Sequence, residues 1–192
     1  MTGTFLFFYM APIEDEEILH KFSNEHTRAQ AFEMLLKKYQ QKIYWHIRRL
    51  VIDHDDADDL VQDVFIKVWK NLGNFRNNSQ LYTWIYRIAT NECLTFLNKK
   101  KQKNNVPLED VSYELADSLA DSTYFNGTQA QMKLQEALLT LPEKQRIVFN
   151  MKYFDDLKYE EISEILGTSV GGLKASFHLA VKKIEAYLLN HD

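Results

Sequence analysis

Three stretches of this chain carry residue types at spacings that could do chemistry. The first is 159–185, where a short apolar-striped helix, the turn Gly167-Thr168-Ser169 and a longer amphipathic helix succeed one another. That succession is the signature of a helix-turn-helix, whose second helix enters the DNA major groove through its N-terminal half. Gly171, Gly172, Lys174, Ala175 and His178 face away from its apolar stripe. Lys174 can reach a phosphate or the edge of a guanine. Thr168 and Ser169 can hold a phosphate at the helix N-terminus. A helical hairpin packed on another element has the same pattern, but two adjacent glycines in a first helical turn each cost about 1 kcal/mol relative to alanine. Close backbone approach to a duplex is a reason to keep them.

The second stretch, Asp53-His54-Asp55-Asp56-Ala57-Asp58-Asp59, gathers five carboxylates and a histidine. It admits a metal-dependent phosphohydrolase, a helix N-terminus stabilised by the macrodipole, or a docking face for a protein partner. No second His/Asp cluster completes a metal shell, so the docking face, with Asp59, Gln62, Asp63 and Lys67 on the polar side of an apolar helix, ranks first and the dipole second. The third stretch is Leu81-Tyr82-Thr83-Trp84-Ile85-Tyr86-Arg87-Ile88-Ala89-Thr90-Asn91. Phe75 and Arg76 precede it and Lys99, Lys100, Lys101 and Lys103 follow. Aromatics interleaved with cations suit unstacked bases lying on a phosphate-binding surface. For Trp84 alone, core packing is the favoured expectation. His20, His26 and His46 have no partner that the sequence assigns.

The elements that must position these groups are helical. Thr27 with Gln30 reads as a capping box opening a helix to residue 51, striped by Phe32, Leu35, Leu36, Tyr39, Ile43, Ile47 and Leu50. A second helix spans about 55–72, with Gly73 expected as its left-handed C-cap. A loop at 74–79 leads to Ser79, expected to cap a third helix over 80–99. Its terminal lysines are favourable there on dipole grounds alone. Pattern returns at Leu134, Leu138 and Leu141, and Pro142 is expected at the first position of the next helix. Helices follow over 159–166 and from Val170, the last striped by Val170, Leu173, Phe177, Val181, Ile184 and Leu188.

The 192 residues include one cysteine, three prolines and six glycines. A single cysteine excludes an internal disulfide framework and a multi-cysteine zinc site. No apolar run approaches the roughly 20 residues of a membrane span, so the expected compartment is the cytoplasm. The net charge is −4, but it is unevenly laid out. Residues 29–103 carry thirteen basic and eight acidic groups, whereas residues 104–130 carry five acidic groups and no Lys or Arg. Such asymmetry points to modules with separate partners. The expected organisation is all-α: an N-terminal extension 1–11, a helical domain 12–103, a flexible acidic linker 104–130 with a transient helix near Leu115–Leu119, and a helix-turn-helix domain 131–192. The segment Thr4–Met10 reads as a disordered extension, or as sequence ahead of a start at Met10.

Taken in order, these motifs resemble a bacterial RNA polymerase sigma factor of the sigma-70 family, extracytoplasmic-function (ECF) group. The resemblance rests on Ala57-Asp58-Asp59-Leu60-Val61-Gln62-Asp63-Val64-Phe65, on Phe75 followed by Thr83–Asn91, on Leu141-Pro142-Glu143 with Arg146, on Tyr159-Glu160-Glu161-Ile162, and on Val170-Gly171 with Leu173-Lys174. It implies a sigma-2-like domain in which Asp59, Gln62 and Asp63 contact the clamp helices of the polymerase β′ subunit. It implies that Phe75, Arg76, Asn77, Asn78 and Ser79, with Arg87, Asn91, Lys99 and Lys100, face the promoter −10 element and a flipped base. It implies a sigma-4-like domain whose Thr168, Ser169, Gly171, Gly172, Lys174, Ala175 and His178 read the −35 element, and which meets the β flap. The linker would thread toward the active cleft and RNA exit path. Such factors are often held inactive by an anti-sigma factor, a partner class the resemblance extends to this chain. It implies no catalytic residue, cofactor, metal or small-molecule substrate. One departure stands out. Gly172-Leu173 and Ala175-Ser176-Phe177-His178-Leu179 replace the family's usual Thr-Val pair and its Arg or Ser residues, so the phosphate contribution of this helix is expected to be small. The competing readings are a regulator that binds its site without polymerase, and the phosphohydrolase.

Overall fold

The computed structural model describes residues 13–104 and 129–191, and among them the regular structure is helical. The helices are α1 (Asp15–Ser23), α2 (Arg28–Val51), α3 (His54–Asn71), α4 (Leu81–Asn104), α5 (Gln129–Leu139), α6 (Glu143–Tyr153), α7 (Tyr159–Leu166) and α8 (Val170–Asn190). The extension 1–11 and the transient helix at 115–119 lie outside the described residues.

α2, α3 and α4 form the body of the first unit. Leu35, Tyr39, Ile43, Ile47 and Leu50 recur every three or four residues on α2 and are buried. They meet Leu60, Val64 and Val68 of α3 and Ile85, Ala89 and Cys93 of α4. Helix α1 was not anticipated. Its apolar stripe is short, Ile18 and Phe22 buried one turn apart with Leu19 packed beside them, all against the same core. Asp15 anchors it, accepting from Tyr39 Oη at 2.6 Å and from Lys38 Nζ at 2.8 Å.

Several local expectations are corrected. The Thr27 capping box does not form: Thr27 Oγ1 donates to Lys21 O at 2.7 Å, back toward α1, and makes no cap bond. Docking α1 gives that hydroxyl a nearer acceptor. Gly73 is not a left-handed cap, because the chain leaves α3 through a 3-10 turn over Leu72–Asn74 that buries Leu72. Helix α4 begins at Leu81, with Gln80 O accepting from Trp84 N–H, so Gln80 rather than Ser79 precedes it. It also continues to Asn104, through the lysine run. Pro142 stands before α6, in the N-cap position. The α2–α3 corner turns on Ile52, at φ 67°, where Asp53 N–H donates to Val51 O at 2.8 Å. That is a strained conformation for a β-branched residue. It sets Asp53 to cap α3 by accepting from Asp56 N–H at 2.9 Å.

The second unit is α5–α8. Ala137, Leu138, Leu141, Phe149, Ala180 and Ile184 form its own small core. The turn between α7 and α8 follows the sequence: Gly167 takes the left-handed conformation at φ 62°, and Ser169 caps α8 by accepting from Gly172 N–H at 3.3 Å. A left-handed residue costs glycine little, and such a cap is worth about 1 kcal/mol. The two units are not separate. Ile147, Val148, Met151, Leu157, Ile162, Ile165 and Leu173 belong to the same buried cluster as α2–α4, with α7 lying on α4 and α6 on α2.

Candidate nucleic-acid interface

The acidic cluster is divided among different tasks. Asp53 caps α3, Asp56 pairs with Lys100 at 2.9 Å, and Asp58 lies 3.6 Å from His54. Asp59, Gln62 and Asp63 are exposed at i, i+3 and i+4 on α3, and Ile66, half exposed, continues that face one turn on. Among the described residues no three potential metal ligands converge.

The C-terminal half of α3, the turn after it and the middle of α4 enclose an open cleft of about 360 Å³. Its walls are Lys67, Asn71, Asn74, Trp84, Ile88, Asn91 and Glu92. Three amides line a space with one aromatic wall, a combination that can both hydrogen-bond the edge of a planar ring and stack on its face. Trp84, expected in the core, is half buried. Phe75 supports its ring at 5.3 Å between centroids, and the indole forms part of the cleft wall. Lys67 and Glu92 form an ion pair at 2.5 Å. The sequence reading found Asn91 but missed Lys67, Asn71, Asn74 and Glu92 as its neighbours. The only signal was a run of turn-forming residues after α3; the cleft itself is made by residues some twenty positions apart.

Beside the cleft, Arg76, Asn77 and Asn78 are exposed and Ser79 half buried, with Asn77 at φ 53°. Lys99 is exposed, while Lys100 reaches back to Asp56. Arg87 is half buried and donates to Glu164 O of α7 at 2.7 Å. Tyr82 hydrogen-bonds Glu161, also of α7; burial and that bond push its hydroxyl up to about 12. Two residues of the α4 surface are therefore engaged by the second unit.

On α8, Gly171, Lys174, Ala175 and His178 are exposed and Gly172 half buried. A Cβ at Gly171 would meet nothing within 4 Å, whereas at Gly172 it would lie 3.3 Å from Ser169 Oγ. Lys174 Nζ sits 5.7 Å from the Tyr159 ring centroid. Thr168 is half buried, with its hydroxyl 3.4 Å from Leu166 O. Arg146, inside this unit, is buried at 6% exposure, and desolvation lowers its proton affinity. It is a structural cation rather than a DNA contact.

The residues that build the cleft-bearing unit and the helix-turn-helix match known families in turn. Residues 35–103 match Sigma-70 region 2 and residues 131–184 match Sigma-70, region 4. The chain is 30% identical over 183 residues to the RNA polymerase sigma-H factor of Pseudomonas aeruginosa, covering 91% of this chain and 94% of that protein. It is 32% identical over 156 residues to the ECF RNA polymerase sigma factor SigW of Bacillus subtilis, covering 77% and 83%. The sigma factor RpoE of Bartonella quintana, solved with the anti-sigma factor NepR, has the same fold: TM-score 0.69 at 24% identity, over 82% of this chain and 96% of that one. So does CnrH, solved with the cytosolic domain of CnrY: TM-score 0.67 at 22% identity, over 93% and 98%. The chain belongs to the sigma-70 family, in its ECF group, and is a promoter-recognising transcription initiation factor. None of its described helices is long and apolar enough to cross a membrane.

Proposed function

We propose that the chain acts as a non-enzymatic, cytoplasmic specificity factor in which residues 12–103 bind core RNA polymerase and the −10 element and residues 131–192 bind the −35 element. Residues 1–11 are then an extension and 104–130 the connection between the two. Asp59, Gln62 and Asp63 dock on the β′ clamp helices, and the second unit meets the β flap. Phe75–Ser79, Arg87, Asn91, Lys99 and Lys100 follow the −10 DNA, and Thr168, Ser169, Gly171, Gly172, Lys174, Ala175 and His178 follow the −35 DNA. An anti-sigma factor is the expected restraining partner, since the similar RpoE was solved with one.

The observation that supports this most is the cleft of about 360 Å³ beside Trp84 and Asn91. Melting begins when a base leaves the stack, at a cost of a few kcal/mol. An aromatic wall returns about 1–3 kcal/mol per stacked base. Amides such as Asn91 can then accept or donate to the base edge, so strand opening and sequence reading become one event. Run-off transcription with core polymerase on genomic fragments tests the proposal: transcripts starting at defined sites only when this protein is added are expected, and their absence refutes it. The docking face has its own test. Asp59→Ala with Gln62→Ala is expected to weaken binding to core polymerase about tenfold, each charge-assisted bond being worth about 1.5–3 kcal/mol before compensation. Unchanged retention in a pull-down would remove that role.

A further inference from the structure

We propose that a second cavity, bounded by α2, the start of α4 and the corner between α6 and α7, binds a small organic anion that carries a flat aromatic ring. It shares no lining residue with the α3–α4 cleft or with the face of Asp59, Gln62 and Asp63.

One wall comes from α2. Besides its buried stripe, that helix carries Lys38, Lys42, Trp45 and Arg49 at i, i+4, i+7 and i+11, a second line of side chains along one face. Tyr82 and Tyr86 come from α4, and Phe154 and Lys158 from the corner. The volume is about 610 Å³, within the roughly 300–1,000 Å³ of small-molecule sites. A space of that size is about 8.5 Å across, narrower than the roughly 10–12 Å of a helix with its side chains. A small molecule fits and a protein helix does not.

The ring follows from the aromatic walls. Trp45 is 40% exposed, yet Tyr44 meets it edge-on at 5.2 Å between centroids and holds the indole in place. The Arg49 guanidinium lies over the Phe154 ring at 5.0 Å. Rings fixed in this way can stack on an aromatic guest with little further loss of freedom.

The negative charge follows from the polar groups. Three of the four wall carboxylates are already occupied. Asp15 accepts from Lys38 Nζ at 2.8 Å and Tyr39 Oη at 2.6 Å. Asp155 accepts from Arg49 Nη2 and lies 2.8 Å from His46 Nδ1. Glu161 accepts from Lys158 N–H at 2.7 Å and bonds Tyr82. That leaves the exposed Asp156 against two exposed lysines, Lys42 and Lys158, neither of which forms an ion pair among the described residues. Arg49 Nε is buried without an acceptor, although buried donors ordinarily find one. An anionic oxygen supplies it, and charge-assisted bonds of this kind are among the stronger polar contacts. Burial, and after it Asp155, raise the proton affinity of the Tyr86 hydroxyl, which therefore stays a donor at neutral pH. Aromatic carboxylates and nucleoside phosphates share the chemistry required, a flat ring joined to an oxyanion.

The test titrates the full-length chain with one probe from each source, adenosine 5′-monophosphate and indole-3-acetate. Adenosine supplies a ring without the charge, and inorganic phosphate the charge without a ring. Calorimetry should show one site per chain for at least one of the two anionic probes, with Kd below about 1 mM and at least about tenfold tighter than for adenosine or phosphate. Trp45→Ala and Lys42→Gln, both at exposed positions where the fold is not at stake, should each weaken binding about tenfold. Trp45→Phe should recover part of the loss. Asp156→Asn, removing the unpaired carboxylate, should tighten binding by up to about threefold. Failure of both anions to bind overturns the proposal, as does equal affinity for adenosine or phosphate, or unchanged affinity in either Trp45→Ala or Lys42→Gln. Binding lost in Trp84→Phe and kept in Trp45→Ala would put the probe in the α3–α4 cleft, and overturns it too. The titration uses neither polymerase nor DNA, so its outcome is separate from that of the promoter-reading function.

Discussion

The cleft between α3 and α4 and the exposed face of α8 are both candidate DNA surfaces, and they are built by opposite means. The cleft is concave, has an indole wall and three amides, and its one basic side chain, Lys67, is paired with Glu92; elsewhere on α4 Lys100 is engaged by Asp56 and Arg87 by Glu164 O. The N-terminal half of α8 is convex and small-featured, with two glycines, Ala175 and His178 around its single lysine, Lys174. In the function proposed above, specificity through enclosure and stacking falls to the first unit, while α8 lets a duplex come near but holds it weakly. On that reading polymerase docking and base capture supply more of the holding energy than the helix-turn-helix.

The sharpest way to break this contrast is to empty the cleft. Trp84→Ala removes the stacking wall and is expected to reduce promoter opening by about 5- to 150-fold, the equivalent of about 1–3 kcal/mol. Trp84→Phe should recover part of it. Asn91→Ala, losing about one hydrogen bond, should reduce opening several-fold. Both should leave binding to core polymerase within about twofold, because neither lies on the α3 face of Asp59, Gln62 and Asp63. Permanganate reactivity of unpaired thymines follows opening, and an equilibrium binding assay follows docking. Equal losses in both would show that the cleft is structural.

Much of this arrangement was legible in the sequence because it rests on local rules. Helix α7 runs over the expected 159–166, and Gly167 and Ser169 turn and cap as glycine and serine do. The stripe of α2 is buried largely as spaced, whereas on α8 Leu173 and Ile184 are buried and Phe177 and Val181 only half-buried. Failures came where a distant contact overrode a local preference. Thr27 has the right neighbours for a capping box, but α1 offers it Lys21 O. Gly73 has the right position for a left-handed cap, yet burial of Leu72 favours a 3-10 turn. His46 had no visible partner because Asp155 is 109 positions away. Helix α1 escaped notice because three apolar residues, Ile18, Leu19 and Phe22, in nine positions are too few to establish a period. The cleft was half visible for the same reason: Asn91 stood out in a motif, while Lys67, Asn71 and Asn74 come from another helix and the turn after it.

A milder perturbation sharpens the other side of the contrast. Lys174→Ala removes the one lysine from the N-terminal half of α8. If it meets a phosphate, the loss should be even across −35 sequences, a few-fold in affinity, with the salt dependence reduced by about one ion. Sequence-selective loss would instead mean that Lys174 reads a base, and that the second unit carries more specificity than its shape suggests. Binding of polymerase–sigma complexes to promoter variants over a range of salt concentrations separates these outcomes.

The smallest effect concerns what a glycine is doing on that face. Gly171 stands in the first turn of α8 with open space where a side chain would go. Nothing in the fold itself therefore asks for glycine, and Gly171→Ala should stabilise the protein by about 0.5–1 kcal/mol. That corresponds to a rise of about 1–4 °C in Tm for a chain of this size. Gly172→Ala should gain less, because its added methyl crowds the Ser169 hydroxyl that caps the helix. If the open space at Gly171 is filled by the DNA backbone, the stabilised variant should lose −35-dependent transcription while −10 opening is unchanged. A variant that is both more stable and equally active at −35-dependent promoters would place the duplex away from this turn. The flat face of α8 would then owe its glycine to something other than close approach.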